Sequence, residues 1–143
     1  MAKHLIDTDL YSDLIQSGTT LPLIRELYDQ DAPGIYFSSI VAQALLAGAR
    51  SSAGRKRVEI FFRPFGKVGR VITPSHNQWK AAGGILAKVL QDRPNLRSKL
   101  PALVNDCLVA LSARSLRATL YTRNRDDFML LQRVRSSSLV VIS

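Results

Sequence analysis

A chain of 143 residues can bury about two-thirds of its unfolded surface in one core, so residues 1–143 read as a single domain that needs no disulfide. Hydrophobic residues at 46% and charged residues at 22% exclude a disordered or fibrous chain. The formal net charge of +9 favours polyanions as partners.

The charge is unevenly spread. Residues 1–31 hold six acids against Lys3 and Arg25, a net of −4, which leaves +13 on the remainder. One basic cluster runs Arg50, Arg55, Lys56, Arg57, Arg63, Lys67, Arg70, and a second runs Arg114, Arg117, Arg123, Arg125, Arg133, Arg135. Each such cluster on its own is a solvated face; a carboxylate site beside it turns it toward phosphate binding. The one cysteine, Cys107, has no partner for an intramolecular disulfide and fits a reducing cytoplasm. The start MAKHLIDTD lacks the apolar stretch of a secretory signal. The uncharged run 32–49 is broken by Pro33-Gly34, Ser38-Ser39 and Gln43, so no membrane span is expected.

Along the chain, residues 3–6 form a short apolar strand ending at Asp7, and Leu10, Leu14 and Ile15 mark a helix after it. Residues 20–28 predict a second helix with Pro22 near its start, and 31–34 a turn. Residues 35–38 are the second strand, and Ser38 or Ser39 caps a helix through Val41, Leu45 and Ala49. Residues 51–54 break that helix, and a basic amphipathic helix follows from Arg55 to about Pro64. The third strand is 69–73, stopped by Pro74. Ser75 caps a helix that carries Trp79, Ile85, Leu86 and Leu90, with Trp79 assigned to the core. Residues 101–116 are helical, 119–122 the fourth strand, 128–134 a helix and 139–142 the fifth strand. Short apolar strands alternating with helices predict an α/β fold with a parallel sheet covered on both faces.

The acids near the end of this pattern need explaining, because an ionised carboxylate in apolar surroundings is costly unless paired, hydrogen-bonded or metal-bound. Asp106 lies in the apolar run LVNDCLVALSAR, while Asn124, Asp126 and Asp127 follow the strand TLYT. In open α/β sheets ligands gather beyond the carboxyl ends of the strands at the switch in strand order. If the first and fourth strands are neighbours, Asp7 and the 124–127 segment converge there, and Asp106 joins from the helix leading into the fourth strand. Plainer roles stand beside this one. Asp7, Thr8 or Asp9 can cap the first helix; Asp126 and Asp127 suit a helix first turn; Asn124 suits a turn. Asp106 as a cap is disfavoured, because Pro101 lets its helix begin earlier. His4 and His76 read as packing or surface residues, and Cys107 as a buried thiol. Gly83-Gly84 lacks the lysine and hydroxyl residues of a phosphate loop. Asp7-Thr8-Asp9 is a weak match to a phosphatase nucleophile pair.

Taken together, LIDTD, IYFSSIVAQALLAGAR, LVNDCLVALSAR and TLYTRNRDDF resemble the PIN-domain nucleases, and among them the VapC-type toxins of toxin–antitoxin pairs. The resemblance spans nearly the whole chain. It implies a three-layer α/β/α fold around a five-stranded parallel sheet, and an endoribonuclease that uses Mg²⁺ or Mn²⁺. By motif position Asp7 matches the first acid, Asp106 the third and the segment TRNRDDF the last, with Asn124 and Asp127 both standing as the fourth site residue. The resemblance implies Asp7, Asp106 and Asp127 as metal ligands, Asn124 as a polar residue that orients water or completes the shell, and Thr122 as a nearby hydroxyl donor. The implied partners are RNA, a small antitoxin protein and a second copy of the chain, with residues 21–66 as candidates for partner and dimer contacts. The products expected are a 5′-phosphate and a 3′-hydroxyl. One position departs from the pattern: Ala44 stands where the family has a glutamate. Two origins fit it, a lineage with weakened or lost catalysis and a deliberate substitution that silences a toxic enzyme. Either way the resemblance implies weak metal binding and slow or absent cleavage, and it leaves room for a non-catalytic RNA- or antitoxin-binding module.

Overall fold

A computed structural model describes residues 2–17 and 22–142. Strand β1 (His4–Ile6) leads into α1 (Thr8–Ser17), and α2 (Pro22–Asp31) reaches β2 (Ile35–Ser38) through a 3-10 turn at Ala32–Gly34. Helices α3 (Ser39–Gly48) and α4 (Ser52–Lys67) precede β3 (Val71–Ile72). Next come α5 (His76–Asp92), a 3-10 segment Pro94–Lys99, α6 (Leu100–Leu116), β4 (Thr119–Thr122), α7 (Arg125–Val134) and β5 (Leu139–Val141). The side chain of Leu14 and the predicted helix positions 20 and 21 lie outside the described residues.

All five strands are parallel, in the order β3-β2-β1-β4-β5. The central strands are apolar on both faces, with Leu5, Ile6, Ile35, Phe37 and Leu120 almost wholly buried. Helices α1, α3 and α4 pack on one another and α5, α6 and α7 on one another, sandwiching the sheet in the three-layer α/β/α arrangement of a PIN-like fold. Strand order reverses at β1, where β2 lies on one side and β4 on the other, and α3 meets α6 near this point. Among the described residues no helix is long and apolar enough to cross a membrane.

Local chemistry explains the helix starts. The Ser38 hydroxyl accepts from the Ile40 N–H at 3.1 Å. Ser75 and Gln78 form a reciprocal capping box at the start of α5. Gly34 is required for a different reason, since a Cβ there would press on the Ala2 carbonyl oxygen.

Several boundaries and one burial assignment differ from the sequence reading; the third strand, for one, is only Val71–Ile72, and α2 runs on to Asp31. Gly54 lies inside α4 rather than in the break, because Ser51 caps the helix by accepting from the Gly54 N–H. The same helix runs past Pro64 to Lys67, held by Phe62 and Phe65 against the Phe37 ring. Helix α7 begins at Arg125, three residues earlier than expected, which places Asp126 and Asp127 in its first turn. Trp79 is not core: its side chain is 50% exposed. The first turn of α5 directs Gln78 toward α6 instead, with its amide nitrogen donating to the Leu111 carbonyl, and the buried stripe starts later, at Ala82, Ile85, Leu86 and Val89.

Candidate active site at the end of strands β1 and β4

Asp7 is the first residue beyond β1, and its backbone N–H still donates to the Tyr121 carbonyl of β4 at 2.9 Å. That bond extends the ladder by one step and fixes where the carboxylate emerges. One side-chain oxygen accepts from the Thr8 N–H at 2.8 Å and the other from the Thr122 hydroxyl at 2.9 Å. Thr122, the last residue of β4, also accepts from the Asn124 N–H at 3.0 Å, which shapes the turn into α7.

Asn124 joins the remaining acids. Its Nδ2 donates to Asp106 Oδ2 and to Asp127 Oδ2, each at 3.1 Å. Asp106 reaches the cluster from the second turn of α6, so it is not a helix cap. Asp127 turns its other oxygen to Lys99, whose ammonium donates at 2.9 Å. The structure thus gathers Asp7, at the start of the chain, with Asp106, Asn124 and Asp127 from its last third.

Asp7, Asp9, Ser12, Ala44, Asp106 and Asn124 line one open cleft of about 330 Å³. Ala44 contributes only a methyl to this wall, so a longer acidic side chain at that position would enter the space beside Asp7 and Asp106.

The electrostatics are those of a site short of positive charge. Burial pushes the Asp7 carboxyl up to about 6, the Asp9 charge adds to this, and the bonds from Thr8 and Thr122 offset part of it. Asp106 is pushed up to about 8, first by burial and then by the charges of Asp7 and Asp127. Asp127 behaves oppositely. Burial would raise it, but the Lys99 ammonium and the Asn124 amide outweigh burial and hold it below the usual carboxylate range.

The donor chemistry fits a hard divalent cation. Two carboxylates that resist ionising together, in an open cleft with room for water, are what Mg²⁺ accepts while keeping part of its hydration shell. Among the described residues no three His, Cys, Asp or Glu side chains are close enough to enclose an ion; Asp127, which the family resemblance implies as a third ligand, is instead bonded to Lys99 and Asn124. Asp7 and Asp106 are then the pair open to a cation.

Two polar residues of this region were not placed at the carboxylate site from sequence: Lys99, which no motif marked, and Asp9, weighed only as a helix cap or as part of a phosphatase-like pair. Lys99 stands two helical turns before Asp106, a spacing that carries no motif, and only the fold brings it to Asp127. Asp9 lines the cleft with one buried oxygen that lacks a hydrogen-bond partner, and burial raises its pKa against the lowering effect of Arg123. The other residues considered lie apart. His4 is buried, bonded to the Tyr121 hydroxyl at 2.9 Å and to Asp31 at 2.6 Å; His76 is exposed. Cys107 is buried, and burial pushes its thiol up to about 11, away from nucleophilic use.

Fold and site together define a PIN-like α/β/α domain with a carboxylate cluster at the topological switch point of its sheet. No family model and no curated protein matches the chain by sequence. Solved structures do match. A chain of DNA-bound VapBC from Salmonella typhimurium aligns with a TM-score of 0.69 at 21% identity, over 99% of this chain and 98% of that one. A chain of VapBC2 from Rickettsia felis, bound to a DNA fragment from its promoter, gives 0.68 at 20% identity, over 98% of each. A chain of VapBC-1 from nontypeable Haemophilus influenzae gives 0.65 at 22% identity, over 96% of each. The likeness is one of fold, end to end, and it agrees with the resemblance carried by the sequence motifs.

Proposed function

We propose that this chain, a single domain over residues 1–143, is the toxin half of a toxin–antitoxin pair. Its chemistry is metal-dependent hydrolysis of RNA phosphodiester bonds, weakened or silenced by Ala44. The observation that carries this reading is the convergence of Asp7, Asp106, Asn124 and Asp127 on the β1/β4 edge, with Ala44 on the wall of the cleft that Asp7 and Asp106 share.

Asp7 and Asp106 would hold Mg²⁺ or Mn²⁺. Bound there, the ion would polarise the phosphate and lower the pKa of an attacking water. Thr122 fixes the orientation of Asp7, and Asn124 keeps Asp106 and Asp127 in register. Asp127, held by Lys99, positions the amide of Asn124 rather than facing the cleft. A glutamate at position 44 would add a charge for the cation and an acceptor for water. The solved VapBC complexes support a small antitoxin protein as partner. Association as a homodimer in the cytoplasm completes the reading.

The test compares the chain with Ala44→Glu and Ala44→Glu/Asp7→Asn on cellular RNA, with Mg²⁺, Mn²⁺ or chelator. Metal-dependent cleavage appears on restoring the glutamate and disappears with Asp7→Asn. No gain from Ala44→Glu argues instead for a binding module without catalysis, the reading that Ala44 itself favours.

A further inference from the structure

Beside the acid cleft lies a second groove of about 460 Å³, between α7 and the segment that joins α5 to α6. Its charged lining is Arg93, Lys99, Arg125 and Arg133 together with Asp126 and Asp127, of which Asp127 is bonded to Asn124 of the cleft. Leu96, Met129 and Leu130 supply its apolar surface, and Met129 is 45% exposed. Lys99 is paired with Asp127. The side chains of the three arginines are exposed and make no ion pair or hydrogen bond among the described residues.

The groove and the cleft adjoin through one hydrogen bond between their linings. Asn124 lines the cleft and donates to Asp127, which lines the groove. We infer that this groove seats the phosphate backbone of the substrate strand where it leaves the acid cleft past Asp127. The inference rests on the nuclease reading above and adds the path of the strand.

Three considerations favour a nucleic-acid strand. A phosphodiester placed at Asp7 and Asp106 belongs to a chain that must leave the cleft, and this neighbouring groove offers cations just past the acids. Guanidinium groups match phosphate with two parallel hydrogen bonds, and three of the four cations are arginines. None of the lining residues is aromatic, so the groove has no base-stacking platform and holds the strand through its backbone. An acidic peptide would satisfy the same charges but has no cause to continue toward two further carboxylates.

The experiment measures binding of a short fluorescent single-stranded RNA to the unmodified Ala44 protein in chelator, where no strand is cut, across a range of salt. The variants are Arg93→Gln/Arg125→Gln/Arg133→Gln together, and Arg63→Gln/Lys67→Gln on α4 as a control for net charge. Each phosphate contact on a single strand adds about 0.7 to the slope of log affinity against log salt, so the triple variant should be shallower by about 2. The control should keep the parent slope, and thermal melts should show both variants folded, since all five side chains are exposed. An unchanged slope in the triple variant, or an equal loss in the control, overturns the inference. So does retained RNA binding combined with lost binding of a poly-glutamate peptide. The two readings also separate. Slope loss without cleavage in an Ala44→Glu background sinks the nuclease and keeps the groove, whereas cleavage with an unchanged KM in the triple variant does the reverse.

Discussion

The hydroxyl of Thr122 donates to the carboxylate of Asp7 at 2.9 Å, joining residues 115 positions apart. Both residues are buried, Thr122 completely, so water can replace the bond only from the cleft side of Asp7. Thr122→Val keeps the shape but leaves Asp7 without that donor, which should cost about 1–3 kcal/mol. Urea denaturation should show the loss in the valine variant and recovery of most of it with Thr122→Ser. Equal midpoints for valine and parent would mean the bond adds nothing to stability.

Without metal, stability should fall as pH rises. The Asp7 carboxyl moves from its ordinary 3.8 to about 6 and that of Asp106 from 3.8 to about 8. Both are raised in the folded state, so the native protein binds more protons than the unfolded chain across this window. The stabilisation is complete below about pH 4 and is lost as pH climbs through the two folded values. Asp127 is lowered and acts oppositely, below the ordinary carboxylate value. Melting curves in chelator from pH 4 to 9 should therefore decline toward alkali, with Asp106→Asn flattening the upper part. A melting temperature that rises between pH 6 and 8 would contradict the assignment.

Divalent metal should reverse that decline. A cation that binds only the folded state stabilises it by about 2.7 kcal/mol at a hundredfold excess over its dissociation constant. The rise in melting temperature on adding Mn²⁺ should be larger at pH 8 than at pH 6, because protons compete for Asp106 at the lower pH. Asp7→Asn and Asp106→Asn should each abolish most of it. Asp127→Asn should retain more, since that carboxylate already faces Lys99 and Asn124.

Phe37 offers a test of the core beneath the site. It is 1% exposed, and its ring packs on those of Tyr11, Phe61, Phe62 and Phe65. Phe37→Ala should cost about 3–5 kcal/mol. The largest local effect should fall on α4, whose course beyond Pro64 depends on this cluster, and hydrogen exchange across 61–67 would report it.

Much of the fold was legible because its signals are local. The strand at 119–122 reads from its β-branched and aromatic residues, and the helix after Ser75 from a hydroxyl followed three positions later by Gln78. Trp79 misled because periodicity cannot tell which first-turn side chain a neighbouring helix takes; Gln78, with an amide to give to the Leu111 carbonyl, is turned inward. The proline at 64 misled for a related reason. Its local preference ends a helix, and ring packing from β2 outweighs that preference.

For the site, the sequence alone determined which side chains were candidates: acids in apolar or strand-end settings and an asparagine in the turn after β4, with Ala44 marked only through the family resemblance. Those are matters of residue type and neighbouring residues, and they survive without coordinates. Only the tertiary structure decided how the acids differ from one another. Asp106 is driven toward its protonated form by burial and by Asp7, while Asp127 is kept ionised by Lys99, a residue that no spacing rule connects to it. Burial and the charge across a cleft depend on segments distant in the chain, and electrostatic energy in a poorly solvated site is set by those distances rather than by order in sequence.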